Sequence, residues 1–171
     1  MKQDHAQLPS KLTAIINREE CLEEFIYTFK GSLDPRLWLT LIAEELDEVR
    51  AENIGTAAHL KEIADLVYVI EGFDTVTSGN FLQLFQSEES SAWMDLMADA
   101  NEEIENAECF YRFDRVEDAF QLVHKSNMSK LDDDGNPIFR EDGKVLKGPN
   151  YKAPDLSDLV NEVNTFYEAA Q

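Results

Sequence analysis

Apolar residues recur at helical spacing along most of this chain, and long stretches contain neither glycine nor proline. Only 7 of the 171 residues are glycine and 5 are proline. Both residues are unfavourable inside a helix, so their scarcity permits long helices, and the apolar spacing gives each helix a face to bury. The expected fold class is therefore all-α, a helical bundle in a single domain over residues 1–171.

Local signals divide the chain into helices. The predicted helices cover about residues 10–30, 34–53, 57–73, 92–112 and 116–125, and a last one begins at Pro154-Asp155. Asp34-Pro35 and Thr56 are typical helix starts, and Gly31 and Gly55 are helix stops. Because only a few residues join the second helix to the third, we expect these two to pack antiparallel. Loop signals follow the third helix, at Gly79-Asn80 and Ser87–Ser91.

The character of the sequence changes near the C-terminus. Asp134-Gly135-Asn136 and Asp142-Gly143-Lys144 are turn signals, and they flank the short runs Pro137–Arg140 and Val145–Lys147. This pattern predicts a short irregular segment, either a small β-hairpin or two loops, in an otherwise helical protein.

The formal net charge is −20, which argues against binding a nucleic-acid backbone. The charge is unevenly distributed. Residues 124–152 carry six basic and five acidic residues, whereas the rest of the chain carries nine basic and thirty acidic ones. An acidic body with one lysine-bearing segment suits a protein that binds a cation and then an anion.

The sequence also carries signals of location. The first ten residues are polar with no apolar stretch behind them, so we expect no signal peptide. No segment approaches the roughly 20 apolar residues of a membrane span. Cys21 and Cys109 lack any paired spacing, which is typical of reduced thiols. The expected location is cytoplasmic, away from membranes.

Two pairs of acidic residues lie among Leu, Ile and Val on neighbouring predicted helices. Glu45 and Glu48 are three apart in the second helix, and Glu62 and Asp65 are three apart in the third. Residues at this spacing share a helix face. If the two faces meet, four carboxylates converge, and a hard divalent cation would relieve their repulsion. Oxygen-only ligands indicate Mg²⁺, with Mn²⁺ possible, rather than zinc.

Other interpretations of the acidic residues stay open at this point. The same spacing recurs at Glu20/Glu23, Glu102/Glu105 and Glu105/Glu108, where solvated helix faces are expected. The alternative interpretation of the central acids is a set of core-edge residues paired with Arg36, Arg50 or Lys61. A di-iron bundle is disfavoured because no His has a Glu three residues before it.

Two motifs carry a resemblance to a known family. EELDE (Glu44–Glu48) followed by EIAD (Glu62–Asp65) resembles the EExxE…ExxD pattern of the all-α NTP pyrophosphohydrolases. That superfamily includes MazG, the dimeric dUTPases and phosphoribosyl-ATP pyrophosphohydrolase. The stretch Val123–Leu156 is similar to the C-terminal signature of the MazG-like, phosphoribosyl-ATP pyrophosphohydrolase-like branch. The part between them, about residues 75–113, is longer than this branch suggests and is interpreted as an inserted loop and helix.

The resemblance implies a function and assigns roles. It implies Mg²⁺-dependent cleavage of the α–β phosphate bond of a (d)NTP to the monophosphate and pyrophosphate, as in nucleotide-pool house-cleaning, by a homodimer or higher homo-oligomer. The implied metal ligands are Glu45, Glu48, Glu62 and Asp65, and Glu44 is the implied general base. The implied substrate-binding residues are Asn127, Lys130, Lys144, Lys147 and Tyr151, and the turns at Gly143 and Gly148 are expected to bring backbone N–H groups to an anion.

A function of another class also fits the composition. An acidic helical protein can imitate the charge of DNA and occupy a basic partner without catalysing any reaction. This alternative accounts for the charge of −20 but not for the lysines of the C-terminal segment. Tight binding to a DNA-binding protein, without Mg²⁺-dependent turnover, would favour it.

Overall fold

The structure, a computed structural model, describes residues 17–78 and 90–169. These residues form six α-helices and one two-stranded hairpin: α1 (Arg18–Phe29), α2 (Pro35–Ala51), α3 (Ala57–Thr77), α4 (Ser90–Tyr111), α5 (Phe113–Met128), β1 (Ile138–Phe139), β2 (Val145–Leu146) and α6 (Ser157–Ala169). The predicted all-α fold with a short hairpin near the C-terminus is confirmed. None of the helices in the described ranges is both long and apolar enough to cross a membrane.

The predicted helix-start signals of α2 and α3 are confirmed. Asp34 Oδ1 accepts a hydrogen bond from the Arg36 N–H at 3.0 Å, and Pro35 takes the first helical position of α2. Thr56 Oγ1 accepts one from the His59 N–H at 3.1 Å. Such bonds satisfy amide groups that have no partner inside the helix, so they fix where the two helices begin.

α2 and α3 form the predicted antiparallel pair. Gly55, with φ of +87°, lies in the short connection between them. Trp38, near the start of α2, packs against Gly72, near the end of α3, so closely that a Cβ on Gly72 would lie 2.0 Å from Trp38 Cζ3. Only glycine permits this approach, which brings the two helices together at the end where Trp38 is buried.

α3 lies at the centre of the bundle and contacts each of the other five helices. Four of the five predicted core residues of α3 are buried, namely Leu60, Ile63, Leu66 and Val67. The fifth, Ile70, is partly buried. The helix runs to Thr77, beyond the predicted end near Phe73, because Phe73 and Thr77 continue its buried face. Because the other helices surround α3, the helix is apolar over much of its circumference.

Other helix boundaries differ from the predictions by a few residues. α1 ends at Phe29 because Lys30, rather than Gly31, takes the left-handed conformation, with φ of 50°. α6 begins at Ser157 instead of Pro154-Asp155, and Asp155 Oδ1 accepts a hydrogen bond from the Ser157 N–H. The first part of the predicted helix 10–30 and the loop signals within 79–89 lie outside the described residues.

The C-terminal segment forms the hairpin and returns to α5. Ile138 pairs with Leu146 and Phe139 with Val145 in antiparallel register. The segment is tied to the end of α5 by the Gly148 N–H, which donates to the Lys130 carbonyl at 3.0 Å. These contacts place the lysines of the hairpin beside the α2–α3 pair.

Candidate functional site

Three of the four predicted metal-ligating carboxylates meet between α2 and α3. Glu45 and Glu48 come from α2 and Glu62 from α3, and one carboxylate oxygen of each lies within 4.8 Å of the other two. The spacing of three residues puts Glu45 and Glu48 on the α2 face that packs on α3. Glu45 is only 9% exposed. Glu62 is half-buried and Glu48 is exposed, so it is chiefly Glu45 whose charge water compensates little.

Lys61 separates the fourth carboxylate from this group. Its ammonium nitrogen lies 2.7 Å from Glu62 Oε2 and 2.7 Å from Asp65 Oδ2. Burial lowers the pKa of Lys61, but the Asp65 and Glu62 carboxylates outweigh burial and hold that pKa above its ordinary value. A protein cation thus lies between Glu62 and Asp65. Arg50, another predicted pairing partner, instead contacts Asp99 and Glu103 on α4.

The acidic group is electrostatically unbalanced at Glu45. Burial raises the pKa of Glu45 to about 7, and the charges of Asp65 and Glu48 add to the effect against the opposing charge of Lys144. The Lys144 nitrogen lies 3.7 Å from Glu45 Oε1, too far for a good hydrogen bond. Burial likewise raises the pKa of Glu62 in spite of its contact with Lys61. An added cation would stabilise the ionised forms of both carboxylates.

Beside the acidic group lies a cleft with a basic wall. Its volume is about 470 Å³. Acidic residues from the α2–α3 pair line one side, namely Glu45, Glu48 and Asp65. All five residues that the resemblance implied for substrate binding also line it, namely Asn127, Lys130, Lys144, Lys147 and Tyr151, and Lys61 completes the set of lysines. The fold therefore joins the two sequence motifs, which are about 60 residues apart, in one cavity.

Lys130 is a half-buried lysine without an ion-pair partner. Burial lowers its pKa, with Lys147 and Lys144 adding to the shift and Asp65 and Glu45 opposing it. Within the described part of the chain, its ammonium group makes no hydrogen bond or ion pair. This ammonium group is therefore free to bind an anion in the cleft.

Glu44 lies beside the acidic group and is held by the hairpin. Its two carboxylate oxygens contact Arg140 Nη2 at 2.8 Å and Lys144 Nζ at 2.6 Å. Burial tends to raise the pKa of Glu44, but these two cations together lower it below the ordinary value. Sequence reasoning missed Arg140, although it is the one arginine in the lysine-bearing segment 124–152. Its contact with Glu44 spans 96 residues, which local spacing does not reveal.

The two glycine turns do not present their N–H groups to the cleft as predicted. The Gly143 N–H donates to the Arg140 carbonyl at 2.9 Å, and the Gly148 N–H donates to the Lys130 carbonyl. The role of Gly148 is instead close packing, because a Cβ there would lie 2.5 Å from the Leu131 carbonyl oxygen. In this structure, side-chain cations rather than backbone amides offer contacts to an anion.

A smaller cavity of about 70 Å³ adjoins the cleft and shares Glu45, Asp65, Asn127, Lys130 and Lys144 with it. Aromatic side chains from three helices line it, namely Phe25, Trp38 and Tyr68. Sequence reasoning missed these residues because apolar and aromatic positions on a helix read as core. A flat apolar ring could lie between such side chains.

The chain was compared with protein-family models, with curated proteins and with solved structures, and none of these comparisons gave a match. The family resemblance therefore depends on the residues that carry it, EELDE with EIAD and the stretch Val123–Leu156.

Proposed function

We propose that the protein is a Mg²⁺-dependent nucleotide pyrophosphohydrolase that cleaves the α–β phosphate bond of a (d)NTP, releasing the monophosphate and pyrophosphate. The observation that carries the proposal is the composition of the cleft, where carboxylates of the α2–α3 pair and three lysines of the C-terminal segment, Lys130, Lys144 and Lys147, line the same cavity. Carboxylates attract a divalent cation, and lysines attract phosphate oxygens. A metal-bound triphosphate satisfies both walls at once.

The residues at the acidic wall fit a magnesium ion. Glu45, Glu48 and Glu62 offer oxygen atoms only, and the raised pKa of Glu45 marks a place that lacks positive charge. Mg²⁺ held there would neutralise negative charge on the phosphate oxygens and around the attacking water. Asp65 joins these ligands if the Lys61 nitrogen moves from the carboxylate to a phosphate oxygen.

Lysines of the opposite wall bind the triphosphate. Lys130 has no ion-pair partner among the described residues, so a phosphate oxygen would be the first group to pair with its ammonium. Lys144 reaches the cleft from the hairpin, beside Glu45. The Lys147 ammonium nitrogen lies over the Tyr151 ring, 4.8 Å from the ring centroid, and this contact restricts the positions that the ammonium group can take. The aromatic cavity beside Asn127 then receives the base.

Glu44 orients and deprotonates the attacking water. In the present arrangement its carboxylate is engaged by Arg140 and Lys144, which keep it ionised and lower its affinity for a proton. When Lys144 turns to a phosphate oxygen, one carboxylate oxygen of Glu44 is released for the water. The proton passes from water to Glu44 as oxygen attacks phosphorus, and pyrophosphate leaves. Arg140 keeps the carboxylate in place during this exchange.

The remaining parts of the proposal follow from the resemblance and the composition. We place the protein in the cytoplasm, where Cys21 and Cys109, both free thiols, stay reduced. We also propose a homodimer or higher homo-oligomer, as in the family that the motifs resemble. The activity would remove non-standard or surplus nucleotides, such as dUTP or dCTP, or act on a phosphoribosyl-ATP-like substrate.

The test is pyrophosphate release from a panel of standard and modified (d)NTPs, with Mg²⁺ and with EDTA. We expect Mg²⁺-dependent formation of monophosphate and pyrophosphate, and a loss of at least about 100-fold in kcat/KM in Glu45→Gln. Glu105→Gln is the matched control, since Glu105 belongs to an exposed pair with the same spacing on α4. Absence of turnover with every nucleotide, without any Mg²⁺-dependent thermal shift, would refute the enzyme and favour the acidic DNA-mimic protein.

A further inference from the structure

The Lys61 side chain lies between two of the carboxylates that the proposed function assigns to the metal. Its ammonium nitrogen is 2.7 Å from both Glu62 Oε2 and Asp65 Oδ2, at the short end of the range for charge-assisted hydrogen bonds. The Glu62 and Asp65 side chains are only 12% and 19% exposed, so little water competes for their oxygen atoms. The metal-free protein thus pairs these two carboxylates with a cation of its own.

The position of Lys61 on α3 produces this arrangement. Lys61 directly precedes Glu62 and lies four residues before Asp65, and residues four apart share a helix face. The same part of α3 contacts α2, because the Glu62 carboxylate meets those of Glu45 and Glu48. The ammonium group is therefore held at the edge of the acidic group rather than at a remote surface.

A divalent cation and the Lys61 ammonium compete for the same oxygen atoms. A metal ion that binds all four predicted ligands must displace the ammonium from Asp65 Oδ2. A metal ion that binds only Glu45, Glu48 and Glu62 must share Glu62 with a positive charge, and like charges at this distance repel. In both cases Lys61 lowers the affinity of the carboxylates for a metal ion that arrives alone.

The cleft offers the Lys61 ammonium a second position. Lys61 lines the cleft, its side chain is 29% exposed, and its charge is carried on a flexible four-carbon chain. Phosphate oxygens in the cleft can accept the hydrogen bonds that Glu62 and Asp65 accept in the metal-free protein. A triphosphate that binds there can therefore take the ammonium group away from the carboxylates.

We propose that Lys61 is an internal competitor of the metal ion, which keeps the carboxylate site weak until a triphosphate takes its ammonium group. This inference rests on the proposed function and adds the regulation of its metal site. The exchange gives the triphosphate a cationic partner and gives the metal ion Asp65 as a further ligand. The protein then holds a divalent cation firmly only when its substrate is present.

The cleft also provides a matched lysine as a control. The Lys147 ammonium lies over the Tyr151 ring and makes no ion pair with any carboxylate in the described ranges. Lys61→Met and Lys147→Met therefore remove the same charge from the same cleft, but only Lys61→Met frees carboxylate oxygen atoms. Lys61→Arg retains a cation next to the carboxylates and should retain the competition.

The first experiment titrates each protein with Mn²⁺ alone and measures free Mn²⁺ by electron paramagnetic resonance. We expect Lys61→Met to bind Mn²⁺ about tenfold more tightly than wild type, which corresponds to one charge-assisted hydrogen bond. Lys147→Met should gain less than about threefold from the general loss of positive charge. Lys61→Arg should bind as weakly as wild type, and Lys61→Met combined with Glu45→Gln should lose the gain, which locates the ion at the carboxylates.

The second experiment measures the coupling between metal and nucleotide. A non-hydrolysable α,β-methylene nucleoside triphosphate is titrated into wild type and Lys61→Met, in Mg²⁺ and in EDTA. The factor by which Mg²⁺ tightens binding should be about tenfold smaller in Lys61→Met, because the triphosphate no longer has an ammonium group to remove from the carboxylates. An undiminished factor in Lys61→Met would contradict the exchange.

A third measurement uses the wild type only, so it does not depend on how well a variant folds. Brief treatment with acetic anhydride, followed by peptide mass spectrometry, reports how readily each lysine is acetylated. Saturating Mg²⁺ should accelerate acetylation of Lys61 by displacing its ammonium from the carboxylates, and it should leave the exposed Lys125 unchanged. A rate at Lys61 that Mg²⁺ does not alter overturns the inference.

The failures of the two proposals are distinguishable, because the Mn²⁺ titration and the acetylation involve no turnover. Equal Mn²⁺ affinity in wild type and Lys61→Met, an equal gain in Lys147→Met, or no Mn²⁺ binding by Lys61→Met overturns the role of Lys61. Each of these results does so whether or not the protein hydrolyses nucleotides. Absence of turnover in wild type refutes the pyrophosphohydrolase, while the titration decides separately whether Lys61 competes with a metal ion.

Discussion

The Glu45 carboxyl group links stability to pH at the scale of a single residue. Its pKa is about 7 in the folded protein against an ordinary value of 4.5, chiefly because of burial. The fold therefore binds this proton more tightly than the unfolded chain does. The resulting cost to stability is fully present above pH 7, and it disappears as the pH falls toward 4.5.

Replacing Glu45 by glutamine should stabilise the metal-free protein. At pH 8 the free energy of unfolding should rise by about 1–3 kcal/mol, because glutamine carries no charge to bury. Urea unfolding in EDTA measures the difference between wild type and variant, and this difference should shrink at pH 5. A variant that is less stable than wild type at pH 8 would show that the Glu45 charge is already compensated in the metal-free protein.

Lys130 carries a positive charge in the same cleft where Glu45 carries a negative one. Its half-buried ammonium has no ion-pair partner, so Lys130→Met should raise the melting temperature of the ligand-free protein while increasing KM for the nucleotide roughly tenfold. Thermal melts and initial rates measure the two effects. Lys125→Met, at an exposed lysine on α5, is the control and should change neither. Lower stability in Lys130→Met would mean that the ammonium has an effective partner without substrate.

At the scale of elements, a close contact at Gly148 joins the C-terminal segment to the residues that follow α5. The Gly148 backbone lies against the carbonyl groups of Lys130 and Leu131, where a Cβ would come within 2.6 Å of both oxygen atoms. Because these are backbone atoms, a side chain at position 148 forces the segment away from α5. Lys144 and Lys147 lie on this segment, so the basic wall of the cleft moves with it.

Gly148→Ala should therefore weaken both folding and substrate binding. We expect a loss of about 1–3 kcal/mol in the free energy of unfolding and a several-fold increase in KM. Gly135→Ala tests the alternative that any glycine change in the hairpin has this effect, since Gly135 has a φ of +78° but open space around it. It should cost about 1 kcal/mol from backbone strain alone and leave KM unchanged. Equal KM values for wild type and Gly148→Ala would contradict the role assigned to this contact.

The helices were predictable from sequence because their signals are local. Asp34-Pro35 and Thr56 mark where α2 and α3 begin, and both make the expected cap bonds. The end of α3 was predicted too early because the burial of Phe73 and Thr77 depends on distant neighbours. Local signals thus define the existence of a helix better than its last turn.

The candidate site was predictable only in part, for a related reason. Spacing of three within α2 and α3 indicated the carboxylates, of which Glu45, Glu48 and Glu62 meet in the structure. The contact of Arg140 with Glu44 and the hydrogen bond between Tyr68 and His124 join residues far apart in sequence. No periodicity within one element reports such contacts.

At the scale of the whole molecule, the charge of −20 opposes the approach of any anion. Lysines of the C-terminal segment, namely Lys130, Lys144 and Lys147, make the local charge positive on their side of the cleft only, because carboxylates of α2 and α3 line the other side. A free triphosphate therefore meets repulsion from the carboxylates, whereas a magnesium-bound triphosphate does not. Metal and nucleotide should each increase the affinity of the protein for the other.

Calorimetric titration of the protein with a non-hydrolysable α,β-methylene nucleoside triphosphate tests this claim most directly, in Mg²⁺ and in EDTA. The base of the analogue is that of the best nucleotide in the panel. We expect binding to be about 100-fold tighter with Mg²⁺, a coupling of roughly 2.7 kcal/mol. Equal affinity in both conditions, or binding that Mg²⁺ weakens, would contradict a cleft in which metal and triphosphate bind together.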